Sequence, residues 1–88
     1  MRSKKIVFPR PFEKMFSRLP GDIRKLIYQK IELFLRDPTH PSLRVKRIKG
    51  TDCLWEMSIT MNSRLTFEVS PEELFLRKIG THDVLNNP

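Results

Sequence analysis

Cysteine is nearly missing from this chain: Cys53 is the only one in 88 residues. That excludes an internal disulfide and any zinc site built on a cysteine pair, and it suits a reducing compartment. Cys53 itself reads as a buried or turn-flanking thiol. Long apolar runs are missing too. None approaches the roughly 20 residues a membrane span needs. The N-terminal Met1-Arg2-Ser3-Lys4-Lys5 is followed by only three apolar residues before Pro9. A cytoplasmic protein with no membrane partner is the expectation. The chain shows no internal repeat, low-complexity tract or linker, and its length leaves room for one domain, residues 1–88.

Acidic residues are outnumbered, with ten Asp and Glu against 17 Lys and Arg, for a formal charge of +7. Such a balance favours a polyanionic or acidic partner, with a solvated basic surface as the plain alternative. Histidine is scarce, and the two present, His40 and His82, lie in or beside the basic C-terminal half. Phosphates want cations, and proton transfer near neutral pH wants an imidazole, so RNA is the first candidate ligand. With 39% hydrophobic and 31% charged residues and six Phe, the composition is that of a folded protein with a modest core.

Ile6-Val7-Phe8, closed by Pro9, reads as an edge strand or strand start, because proline cannot donate to a sheet ladder. The period then changes. Phe12, Met15, Phe16 and Leu19 fall at i, i+3, i+4 and i+7, one helical face, and Leu19-Pro20-Gly21 stops that helix. Asp22 is placed to cap a second helix with Ile23, Leu26, Ile27, Ile31, Phe34 and Leu35 inward and Arg24, Lys25, Lys30 and Arg36 outward. Asp37-Pro38 ends it. From Leu54 the pattern alternates, with Trp55, Met57, Ile59 and Met61 on one face and Glu56, Ser58 and Thr60 on the other. After a turn at Asn62-Ser63, Leu65, Phe67 and Val69 should face the helices while Arg64, Thr66 and Glu68 face away. Ser70-Pro71-Glu72-Glu73 turns into a last strand, Leu74 to Ile79. Its order does not decide which of Arg77 or Lys78 shares the open face, and strict alternation admits only one. The expected architecture is α+β: an N-terminal strand, a two-helix hairpin, then a three- to four-stranded antiparallel sheet with the helices on one face and a charged face open.

Several segments in this order resemble the RelE/ParE superfamily of small toxins from bacterial type II toxin–antitoxin pairs. They are the Leu19-Pro20 break, Asp37-Pro38 followed by His40-Pro41-Ser42-Leu43, Lys46-Arg47-Ile48-Lys49-Gly50 before the Trp55 strand, Ser63-Arg64-Leu65-Thr66-Phe67, and Ile79-Gly80-Thr81-His82-Asp83. The resemblance covers nearly the whole chain and implies a RelE-like fold. It implies one of two activities, cutting messenger RNA on the ribosome or inhibiting DNA gyrase, and a cognate antitoxin as partner. It favours the RNA-cutting branch, with His82 and Arg64 as the residues carried over. The residue before Arg64, often aromatic in relatives, is Ser63. Glu56 and Ser58 stand where some relatives have lysines, and the tail Leu85-Asn86-Asn87-Pro88 lacks the tyrosine some members use.

Metal-free RNA cleavage uses the 2′-hydroxyl as nucleophile and needs a base, an acid for the leaving 5′-oxygen and cations for the phosphorane-like charge. Neither a metal nor a small-molecule cofactor is expected. His82 is the candidate acid or base, set against a surface histidine. Arg64 is the candidate phosphate clamp, set against a structural ion pair with Glu56 or Glu68. Glu56 is an alternative base or a salt-bridge partner, and Arg77 or Lys78 adds charge beside the phosphate. Arg44, Lys46, Arg47 and Lys49 read as an RNA-docking strip or as solvated charge. His40 reads as a turn former, and Trp55 as a core residue before a stacking platform. The expected geometry sets Arg64 outward, within reach of His82, on a cationic floor not covered by helices.

Overall fold

The computed structural model describes residues 4–81 together with Leu85 and Pro88. The elements in chain order are β1 (Lys5–Val7), α1 (Arg10–Ser17), α2 (Gly21–Arg36), a 3-10 turn (Pro41–Leu43), β2 (Lys46–Arg47), β3 (Trp55–Ser58), β4 (Arg64–Val69) and β5 (Glu73–Gly80). Strands β2 to β5 are antiparallel, and β1 joins them in parallel beside β5, giving the order β1-β5-β4-β3-β2. The sheet is therefore five-stranded and mixed, one strand more than the C-terminal runs alone supply. Lys5 N–H donates to Glu72 O at 2.8 Å, and Lys4 Nζ donates to Ser70 O at 2.7 Å, so the N-terminal segment is tied to the β4–β5 turn. No helix among the described residues is long and apolar enough to cross a membrane.

An eight-residue helix is unstable alone, and α1 is held by its apolar face. Phe12 is fully buried, Met15 and Phe16 pack on the core, and Leu19 continues the same face beyond the helix end. Between the helices, Arg24 Nη1 donates to Leu19 O at 2.9 Å, so this half-buried arginine ties α2 to the segment after α1 instead of pointing into solvent. The α2 cap also differs from expectation. Pro20 occupies the N-cap, with its φ already fixed near −57°. Asp22 lies inside the first turn and accepts the Ile23 N–H at 3.0 Å, where its charge still complements the helix dipole.

Ile27, Ile31 and Phe34 from α2 meet Met57, Leu65, Phe67, Leu74, Leu76 and Ile79 from the sheet in one cluster. Phe34 meets Phe67 edge-on, with ring centroids 5.2 Å apart. Both helices thus cover one sheet face, and among the described residues no helix covers the other. Two expected core positions are not core. Met61 is 89% exposed because β3 ends at Ser58 and Met61 falls in the turn; Val69, on the inward register at the end of β4, is 36% exposed.

Removing the Phe67 ring leaves a cavity opposite Phe34. Phe67→Ala should cost about 3–5 kcal/mol of unfolding free energy in urea titration, with Phe67→Leu costing less. An unchanged urea midpoint for Phe67→Ala would contradict this packing.

Candidate nucleic-acid interface on the open sheet face

The open face is built by pairing register. Lys46, Glu56, Thr66 and Lys78 lie directly opposite one another across β2, β3, β4 and β5, and Ser58, Arg64 and Gly80 form the next row. Residues paired across a ladder share a face, so four of the expected site residues come together here: Arg64, Glu56, Lys46 and Lys78. The floor is not uniformly cationic. Arg64 Nε lies 3.5 Å from Glu56 Oε1, and Arg77 Nη1 lies 3.4 Å from Glu68 Oε2. Arg64 also donates through Nη1 to Thr60 O at 3.3 Å and to Met61 O and Ser63 O at 3.4 Å. It closes the β3–β4 turn as well as flooring the face. A phosphate arriving here meets a guanidinium already facing a carboxylate, and binding exchanges one anion for another.

Arg77 and Lys78 both belong to this face, which corrects the expectation that only one can. The ladder slips between Thr66 and Phe67: Thr66 pairs with Lys78, but Phe67 pairs with Leu76, so Arg77 is the extra residue of a β-bulge. Arg77 reaches the face through its ion pair with Glu68, and Lys78 through its register with Thr66. Thr66 holds the slip. Its Oγ1 accepts the Lys78 N–H at 3.0 Å and lies 3.4 Å from Lys78 O. The threonine is fully buried beneath the charged side chains, not in solvent as its outward register suggested. Neither Thr66 nor Glu68 was a candidate from the sequence. One signal was available: the buried apolar residues of β5 are Leu74, Leu76 and Ile79, spaced by two and then by three.

His82 lies outside the described residues. Thr81, which precedes it, lines a shallow concavity of about 500 Å3 with Met61, Asn62 and Arg64.

The basic segment does not form one strip, because strand alternation divides it. Lys46 stands on the open face opposite Glu56, whereas Arg47 lies opposite Trp55 on the helix side, its guanidinium carbon 5.9 Å from the Trp55 ring centroid. Arg47 also donates to Asp52 O at 2.7 Å. Trp55 is partly buried against the core. Lys49 is exposed in the turn at Gly50, and Arg44 follows the 3-10 turn. His40 shapes that turn: its Nδ1 accepts the Ser42 N–H at 3.2 Å, with Ser42 Oγ 2.8 Å away. Cys53 is exposed and flanks β3, with Sγ 3.8 Å from Glu68 Oε1.

No family model matches the chain, and no curated protein matches it. Solved structures do. The YoeB dimer from Staphylococcus aureus superposes with a TM-score of 0.75 at 15% identity, over 92% of this chain and 99% of that one. The chain has the RelE-like fold. A RelB–RelE antitoxin–toxin complex from Methanococcus jannaschii gives a TM-score of 0.69 at 23% identity, over 94% and 95%. A mutant of the E. coli toxin RelE in the free state gives 0.75 at 14% identity, over 98% and 93%. At these identities the RelE-like architecture is shared while most side chains are not.

Thr66→Val keeps the shape and removes the buried hydroxyl that accepts the Lys78 N–H. It should cost about 1–3 kcal/mol in urea unfolding and speed amide exchange at Lys78, while Thr66→Ser retains the bond. A Thr66→Val protein as stable as the parent would show that the hydroxyl does not hold the bulge.

Proposed function

We propose that this chain is the toxin of a type II toxin–antitoxin pair and acts as a ribosome-dependent endoribonuclease on messenger RNA. The observation that carries the reading is the gathering of Arg64, Arg77 and Lys78 beside Glu56 on the uncovered face of a RelE-like sheet. Cleavage by the RNA's own 2′-hydroxyl asks the protein for proton transfer and for cations around the developing charge, and this face supplies the cations. His82, following Thr81 in sequence, is the proton-transfer group, as base to the 2′-hydroxyl or as acid to the leaving 5′-oxygen, and Glu56 is the alternative, a carboxylate base on the open face. Arg64 grips the scissile phosphate, with Arg77 and Lys78 adding charge. The partners are a cognate antitoxin, whose acidic or amphipathic segment covers the basic surface, together with the ribosome and its messenger.

One observation favours a rival. Arg64 is engaged on both sides, by Glu56 and by the β3–β4 turn. A chain whose arginine serves the fold could be a non-enzymatic binder: a ParE-like gyrase inhibitor, or a toxin homologue that retains antitoxin binding alone.

Expression of the chain with and without His82→Ala, followed by mapping of 5′ ends on a translated messenger, separates the two. The enzyme gives codon-phased cuts that fall by about 10²-fold or more in the variant. Arg64→Lys should lose cleavage with its melting curve still cooperative, because a single ammonium cannot reproduce the two-pronged grip. Growth arrest with intact messages and inhibited gyrase would establish the rival.

A further inference from the structure

At the edge of the open face, the end of β3 borders a second concavity, of about 370 Å3. Three cations line it from three elements: Lys30 from α2, Arg44 after the 3-10 turn and Arg64 from β4. Three hydroxyl residues, Ser42, Ser58 and Thr60, line it as well, and no carboxylate does. Among the described residues neither Lys30 nor Arg44 has an ion-pair partner, in contrast to Arg64 and Arg77 on the sheet. Thr60 Oγ1 accepts the Asn62 N–H at 3.2 Å, which leaves its own proton to donate.

Arg44 adds an independent observation. Its φ of 49° puts it in the left-handed region, the one non-glycine residue there among those described. It closes the 3-10 turn by donating its N–H to Pro41 O at 3.3 Å. Glycine is the residue that this position takes without conformational cost. An arginine is kept here at that cost, and its side chain borders a cavity with two other cations.

We infer that this concavity is a second phosphate-binding site, which takes a backbone phosphate of a single-stranded RNA one or more nucleotides away from the group held on the open sheet face. The inference rests on the RNA-handling reading of that face. Arg64 borders both this concavity and the one that reaches Thr81, so a strand lying over the β3–β4 turn passes from one to the other. Met61 borders both as well and is 89% exposed. An exposed thioether beside cations suits the apolar face of a nucleobase and gives a free inorganic ion nothing to contact. Guanidinium, ammonium and hydroxyl groups lining one concavity, with the Glu56 partner of Arg64 outside that lining, are the donor set of phosphate recognition.

The test uses the whole chain and a 2′-O-methyl RNA oligomer, which has no 2′-hydroxyl nucleophile and cannot be cut by this chemistry. Its affinity is measured against potassium chloride concentration, with inorganic phosphate as a separate ligand. Lys30→Gln and Arg44→Gln should each weaken the oligomer several-fold at low salt. Each should flatten the slope of log K against log salt by about 0.7, one phosphate contact on a single strand. Arg44→Gly should flatten the slope equally while its melting temperature stays at or above the parent's, which separates the lost cation from a damaged fold. Lys25→Gln, on the same helix but not bordering the cavity, should leave the slope unchanged. Parental slopes in both Lys30→Gln and Arg44→Gln would overturn the site, and inorganic phosphate binding as tightly as the oligomer would overturn the polymer as its ligand. Cleavage is read separately. An oligomer that shows these slopes beside an uncut translated messenger removes the nuclease and leaves this site. Codon-phased cutting beside parental slopes does the reverse.

Discussion

The pairing of β4 with β5 is the constraint on which both faces of this molecule depend. On one side it sets Leu65 opposite Ile79 and Phe67 opposite Leu76, the apolar surface that α1 and α2 cover. On the other it sets Thr66 opposite Lys78 and Glu68 opposite Phe75. The two sides cannot both be served by a strict two-residue period, because a charged pair, Arg77-Lys78, separates Leu76 from Ile79. One extra residue resolves the conflict. The bulge restores Ile79 to the core and sends both cations outward, and the Thr66 hydroxyl accepts the Lys78 N–H where the ladder slips. A buried, satisfied hydroxyl at the centre of the sheet is thus the point where core packing and surface charge are reconciled.

Much of this architecture was legible from periodicity, and the failures have identifiable causes. The helical faces of Phe12, Ile27, Ile31 and Phe34 and the alternation of Met57, Leu65 and Phe67 were readable because burial imposes their spacing. The N-terminal strand was readable from Ile6-Val7 before Pro9, but its parallel pairing with β5 was not, since nothing local in three residues names a partner 68 positions away. Asp22 gave a capping signal that Pro20 overrode by its fixed φ. Arg24 looked like a solvent residue because helical periodicity says nothing of the carbonyls left at the end of the preceding helix. Of the candidate site, Arg64, Glu56, Lys46 and one of Arg77 or Lys78 could be put on the open face by counting. The contiguous basic run from Arg44 to Lys49 suggested a strip, and the strand period that divides it between two faces was present in the same residues.

The mixed charge of the open face bears on how it would handle RNA. Ion pairs such as Arg64 with Glu56 hold long side chains in fixed geometry before any ligand arrives, which lowers the entropy lost on binding. They also make binding an exchange: a phosphate must outcompete a carboxylate already in place, so a lone phosphate contributes little and a polymer engaging several cations at once contributes much. Lys30 and Arg44, which face no carboxylate among the described residues, are where such a polymer would gain without exchange.

The central claim is that the uncovered sheet face receives RNA. Nitrogen-15 NMR of the backbone amides and arginine side chains, recorded with increasing 2′-O-methyl RNA, tests it most directly. The account predicts shifts at Arg64 Nε, Arg77 Nε and the amides of Glu56, Thr66 and Lys78, with Phe12 and Ile27 on the buried faces of the helices unmoved. Shifts confined to α1 and the outer surface of α2, with Arg64 and Arg77 silent, would contradict it.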